Sequence, residues 1–142
     1  MIVKRIKYTD YDGNEREEDF RFNLTESELM KMEFNTEGGM EALINKIIDE
    51  KDAKKIGELF DQIIMMSYGE KSADGKRFVK SAEISKAFSE TEAYNILYME
   101  LLSDEKAAAA FVNGLVPQKI ANEMQAKQGQ PARLNIPAPP IN

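Results

Sequence analysis

The stretch YTDYDGNEREEDF, Tyr8 to Phe20, begins as a calcium loop would, with Asp10, Asp12 and Asn14 at alternate positions around Gly13. An EF-hand loop also needs glycine at its sixth position, for a sharp turn, and a bidentate glutamate at its twelfth. Counting from Asp10, those places hold Glu15 and Arg21. A cation where the closing carboxylate belongs repels calcium, so the stretch reads instead as an Asx-rich turn between two strands. GEKS, Gly69 to Ser72, has the ending of a phosphate loop, but Glu70 separates the glycine from the lysine and Ile64 occupies the earlier glycine position. The chain has no cysteine, histidine or tryptophan. The two commonest transition-metal ligands and the usual general base near neutral pH are therefore missing. Carboxylates are plentiful, but their spacing puts them on solvated helix faces and in caps, with no sign of one held in an apolar pocket opposite a partner. No catalytic residue, metal site or cofactor is expected.

The elements that carry these residues follow from periodicity. Ile2, Ile6 and Tyr8 alternate along one side of MIVKRIKYTD, and Lys4, on the same side, can lay its stem along it. Phe20, Phe22 and Leu24 alternate in the same way after the turn. One apolar face requires an odd loop. A three-residue loop, Asp12 to Asn14, sets Ile6 opposite Phe20 and leaves Asn14 in the left-handed conformation. The other face then carries Arg5, Lys7, Glu15, Glu17 and Asp19.

The remainder reads as helices. Thr25 and Glu28 have capping-box spacing before Leu29 and Met32. After a break at Gly38-Gly39, Leu43, Ile44, Ile47 and Ile48 form a helical stripe. Asp52 is placed to cap a helix whose inner face is Ile56, Leu59, Phe60, Ile63 and Ile64, with Gly69 at its end. Asp74-Gly75 is a turn signal, and Arg77 to Lys80 suit a short strand. Ser89 with Glu92 marks the start of a helix with a stripe of Tyr94, Leu97, Tyr98, Leu101 and Leu102. Ser103 can cap the next, lined by Ala107, Ala108, Phe111, Val112 and Leu115 and closed by Gly114 and Pro117. The fold class expected is α+β: a mostly helical single domain over residues 1–124, with a hairpin over 2–24 and a flexible Pro-rich tail over 125–142. Phe20, Phe22, Phe60, Ile63, Tyr94, Tyr98, Leu101 and Phe111 are its expected core.

Charge narrows the partners. Lys and Arg number 19 against 25 Asp and Glu, a net charge of -6. That balance argues against nucleic acid or an anionic membrane as partner. The N-terminus lacks the apolar run of a signal peptide, and no apolar stretch approaches membrane-spanning length. With no cysteine, neither disulfides nor thiol chemistry is available, and a reducing cytoplasm is the expected setting. Against the acidic balance, Lys71, Lys76, Arg77 and Lys80 concentrate positive charge in EKSADGKRFVKSAE. The segment is either a solvated loop or a contact for a partner.

Three segments, YTDYDGNEREEDFRFNLTESELMKMEF, IIMMSYGEKSADGKRFVKS and FSETEAYNILYMELLSDEKAAAAFVNGLVP, resemble in this order the short tail assembly chaperones of long-tailed phages infecting Gram-positive bacteria. The resemblance spans most of Tyr8 to Pro117. It implies a non-enzymatic chaperone that binds the tape measure protein, keeps it soluble and helps recruit tail tube subunits. It also implies action in the host bacterial cytoplasm, absence from the mature virion, and a longer form made by frameshifting. Self-association fits the same picture. On this reading the adaptable thioethers of Met30, Met32, Met65, Met66 and Met99, and the cluster Lys71, Lys76, Arg77 and Phe78, are the residues to meet a partner. A tail-completion or connector subunit of the virion and a small acidic regulatory adaptor are the alternatives.

Overall fold

A computed structural model describes residues 1–35, 42, 45, 49 and 52–117. Strands β1 (Ile2–Thr9) and β2 (Glu15–Phe22) form the N-terminal antiparallel hairpin. The even-numbered residues of both strands share one face, as alternation requires, but the register differs from the expected one by two residues. Ile6 lies opposite Glu18, and Lys4 opposite Phe20. The cause is Asp10. Its Oδ1 accepts the backbone N–H groups of Asp12 and Asn14 at 3.0 and 2.9 Å, while Asp10 and Asn14 close the loop through their backbones at 2.9 Å. This fixes a longer loop over residues 10–14, in which Gly13 rather than Asn14 takes positive φ, at +85°. The solvent face is zipped by charge: Arg5 bonds Glu17 at 2.7 Å and Asp19 at 3.0 Å, and Lys7 lies 3.5 Å from Glu17. Such exposed pairs contribute little each. Lys4 lays its stem along the apolar side and reaches Glu100 at 2.8 Å.

After α1 (Glu26–Asn35) and α2 (Ala53–Ser67), strands β3 (Tyr68–Lys71) and β4 (Phe78–Val79) extend the sheet to the order β1-β2-β3-β4, antiparallel throughout. Gly69 does not end α2. The helix stops at Ser67, with the Tyr68 N–H still bonded to Ile64, and Gly69 lies inside β3. A Cβ there would come within 2.6 Å of Phe78 Cε2 and 2.8 Å of the Val79 carbonyl oxygen, so the strand needs glycine for close approach.

The helices start on side chains that satisfy their free N–H groups. Thr25 and Glu28 form the reciprocal capping box, at 3.1 and 2.9 Å, and Asp52 accepts from the Lys54 N–H at 2.9 Å. A helix not anticipated from the sequence, α3 (Ala82–Ser89), starts at Ser81. Ser89 ends it, donating its hydroxyl to the Lys86 carbonyl, and does not cap the next helix, because Thr91 is the cap of α4 (Glu92–Ser103). Likewise Ser103 closes α4, and Asp104 caps α5 (Glu105–Leu115) by accepting from Lys106 and Ala107. A carboxylate takes both donors and also favours the positive end of the helix dipole, which a hydroxyl does less well. Gly114 sits within the last turn of α5, where a Cβ would meet Ile2 at 3.1 Å. Leu102 is 36% exposed, because α4 turns Ala93, Leu97 and Leu101 inward instead. The Gly38-Gly39 break, the stripe of Leu43, Ile44, Ile47 and Ile48, the boundary at residue 124 and the tail all lie outside the described residues.

The core lies between the even face of the sheet and the helices. Phe22, Phe60, Ile63, Leu101 and Phe111 are buried, and Phe20, Tyr94 and Tyr98 pack against them. Phe88 of α3 stands at the centre. It stacks on Tyr68 at 4.2 Å and borders Phe20, Phe22 and Tyr94 at 5.2, 5.7 and 5.8 Å. Burial pushes the Tyr68 phenol up to about 12. Tyr94 donates a hydrogen bond to Asp61, tying α4 to α2.

Candidate functional site

The oxygen ligands of the opening loop are engaged within it. Asp10 spends Oδ1 on two backbone donors and Oδ2 on Arg16, at 2.6 Å. The Arg16 hydrogen bond, then the Asn14 N–H, hold the Asp10 carboxyl below its ordinary range. The loop is therefore a structural turn closed by its own side chains. Among the described residues no group of three or more acidic, histidine or cysteine side chains could hold a metal ion.

The β3–β4 hairpin has the turn expected at Asp74-Gly75 and, in Phe78–Val79, the short strand expected over Arg77 to Lys80. Its tip is locked by bonds between side chain and backbone. Ser72 donates to Asp74 at 2.7 Å, and the Lys76 N–H donates to the same Asp74 oxygen at 3.0 Å. The Arg77 N–H reaches the Ser72 hydroxyl at 3.0 Å, and the Ser72 N–H bonds the Arg77 carbonyl at 2.8 Å. Gly75 takes positive φ, at +77°, to complete the turn. The Lys76 N–H and the Ser72 hydroxyl hold the Asp74 carboxyl below its usual range.

Asp74, the acidic residue nearest Lys76 and Arg77 in sequence, thus engages one carboxylate oxygen with the backbone and Ser72. Lys71, Lys76 and Arg77 are exposed and form no ion pair among the described residues, although Lys71 reaches the Ser72 carbonyl at 3.2 Å. By contrast, Lys4, Arg5, Lys7 and Arg16 of the first hairpin all hold carboxylates.

The structure separates the rest of the expected cluster from these three cations. Lys80 turns back to bond both oxygens of Glu28, at 2.9 and 2.8 Å, and the Asn23 carbonyl. Burial pushes the Glu28 carboxyl up, but the Lys80 ammonium and the Thr25 N–H outweigh it and leave the group below its usual range. Phe78 is half-buried, with its ring across Gly69 and 5.9 Å from the Lys80 ammonium. Met65 and Met66 are half-buried, and Met66 packs on the core.

Open apolar surface lies elsewhere. Met30 on α1 is 56% exposed, and Ile96 and Met99 on α4 are 40% and 59% exposed, beside Leu102. Ile96 and Leu102 escape a reading of periodicity because they look like ordinary members of an apolar helix. Phe88 and Ser81 do carry a signal: a serine followed by Ile84 and Phe88, four apart, marks a capped helix with one apolar face.

No described helix is long and apolar enough to cross a membrane. No curated protein and no solved structure matches the chain. The sequence profile of one family, described as phage tail assembly chaperone, does match, and it extends over residues 1–139, through both hairpins and every described helix. On that match the chain belongs to the phage tail assembly chaperone family.

Proposed function

We propose that the chain is a non-enzymatic chaperone that binds the tape measure protein of its phage, keeps it soluble and helps recruit major tail tube subunits. It works in the cytoplasm of the host bacterium and is left out of the finished virion. The observation that carries this reading is the family match across residues 1–139. The surface is consistent with it. A holding chaperone needs apolar side chains that stay available in the free protein, and Met30, Ile96 and Met99 are open to solvent on two helices. Two of them are methionines, whose unbranched thioether chains adapt to irregular partners.

Mass spectrometry separates a chaperone from a tail subunit. The chain is expected in lysates during tail assembly and absent from purified particles. A fixed copy number in purified particles would overturn the proposal in favour of a virion component.

A further inference from the structure

We propose that the tip of the β3–β4 hairpin is a preorganised cationic contact that docks a carboxylate-rich segment of the client protein through Lys76 and Arg77, with Lys71 beside them. This rests on the reading that the chain binds the tape measure protein. Three features of the hairpin support it.

First, the turn is rigid for its size. Ser72 and Asp74 between them tie down the backbone N–H groups of Lys76 and Arg77. Less backbone freedom is then lost when a partner binds. Second, that arrangement engages Asp74 with the backbone, whereas Lys4, Arg5 and Lys7 of β1 and Arg16 of β2 are matched to carboxylates. Third, the charges stand out from the chain they sit on. The net charge is -6, and removing the three cations leaves -9 on the rest.

That field repels an extended polyanion such as nucleic acid but tolerates a short acidic segment seated on the tip. It also disfavours a second copy as the occupant. Two copies each carry -6, so their net fields oppose association. Arg77 is the residue suited to bridge a carboxylate with two parallel hydrogen bonds, with Lys76 adding a point charge.

The test uses the full chain and the tape measure protein encoded by the same phage. Binding is measured at low and at physiological salt, with circular dichroism and size-exclusion chromatography as controls. Lys76→Glu with Arg77→Glu is compared with Lys86→Glu with Lys106→Glu, which makes the same change in net charge on α3 and α5. The hairpin variant is expected to keep its melting curve, to weaken client binding about tenfold or more, and to lose most of the salt dependence. The control variant should bind within about twofold of wild type. Equal weakening by both variants would show bulk charge at work and overturn the docking site. So would wild-type binding by the hairpin variant, or loss of self-association with client binding intact. Absence of client binding by the unaltered chain would overturn the proposed function itself, and this site with it. Binding that persists equally in both variants removes the hairpin alone.

Discussion

Truncating Phe88 to alanine should do more damage than any other single change on α3. The ring is 3% exposed and has aromatic neighbours from three directions: Phe20 and Phe22 on β2, Tyr68 on β3 and Tyr94 on α4. Transfer of a buried phenylalanine side chain is worth about 1.5–3 kcal/mol, and each favourable ring pair adds about 0.5–1.5 kcal/mol. Core Phe→Ala replacements cost about 3–5 kcal/mol in total, with the cavity term depending on how far the walls can collapse. Here the walls belong to three separately anchored elements, so collapse is limited and the upper half of that range is expected. At about 3 °C per kcal/mol for a chain of this size, the melting temperature should fall by roughly 12–15 °C. Thermal and urea unfolding followed by circular dichroism measure it. Phe78→Ala is the comparison, since that ring is only half-buried and should cost clearly less. A loss below about 1 kcal/mol for Phe88→Ala would refute the aromatic centre.

Three further outcomes are expected. Gly69→Ala should destabilise the β3–β4 hairpin, because the new Cβ meets the Phe78 ring at 2.6 Å and the Val79 carbonyl at 2.8 Å; unchanged hydrogen-exchange protection of Val79 would contradict this. Glu28 has a lowered carboxyl in the folded chain, so its contribution is fully present above the ordinary value of 4.5 and is lost as pH falls through the lower folded value. The stability gap between wild type and Glu28→Gln, read from urea midpoints, should therefore shrink as the solution is acidified below that ordinary value, and a gap that widens would refute the Lys80 pairing. Calorimetry with millimolar calcium should show no saturable site at Asp10, whose oxygens serve Asp12, Asn14 and Arg16; a site abolished by Asp12→Ala would overturn the turn assignment.

Much of the fold is legible where a single local rule decides it. The parity of the hairpin follows from Ile6, Tyr8, Phe20 and Phe22 needing one face, and the Thr25–Glu28 box and the Asp52 cap follow from spacing alone. The register was not legible, because the Asp10 side chain sets the loop length and an Asx side chain can close several loops equally well from sequence. Caps at Thr91 and Asp104 were displaced from Ser89 and Ser103 by one or two positions, where neighbouring residues compete for the same N–H groups. Gly69 and Gly114 read as helix stops, yet both answer to long-range contacts, with Phe78 and Ile2, that no local pattern reveals. At the cationic hairpin the charges could be counted in the sequence. That Lys80 leaves the group for Glu28, and that Asp74 turns to the backbone, depended on tertiary structure.

Whether this chain holds a tail protein in solution is decided by co-expression. The tape measure protein of the same phage is produced alone and together with the full chain, and its soluble fraction is measured after centrifugation. The tape measure protein should be largely insoluble alone, and with the chain it should be soluble and co-purify in a defined complex. A tape measure protein equally insoluble in both cases, with the chain eluting free, would contradict the proposed function.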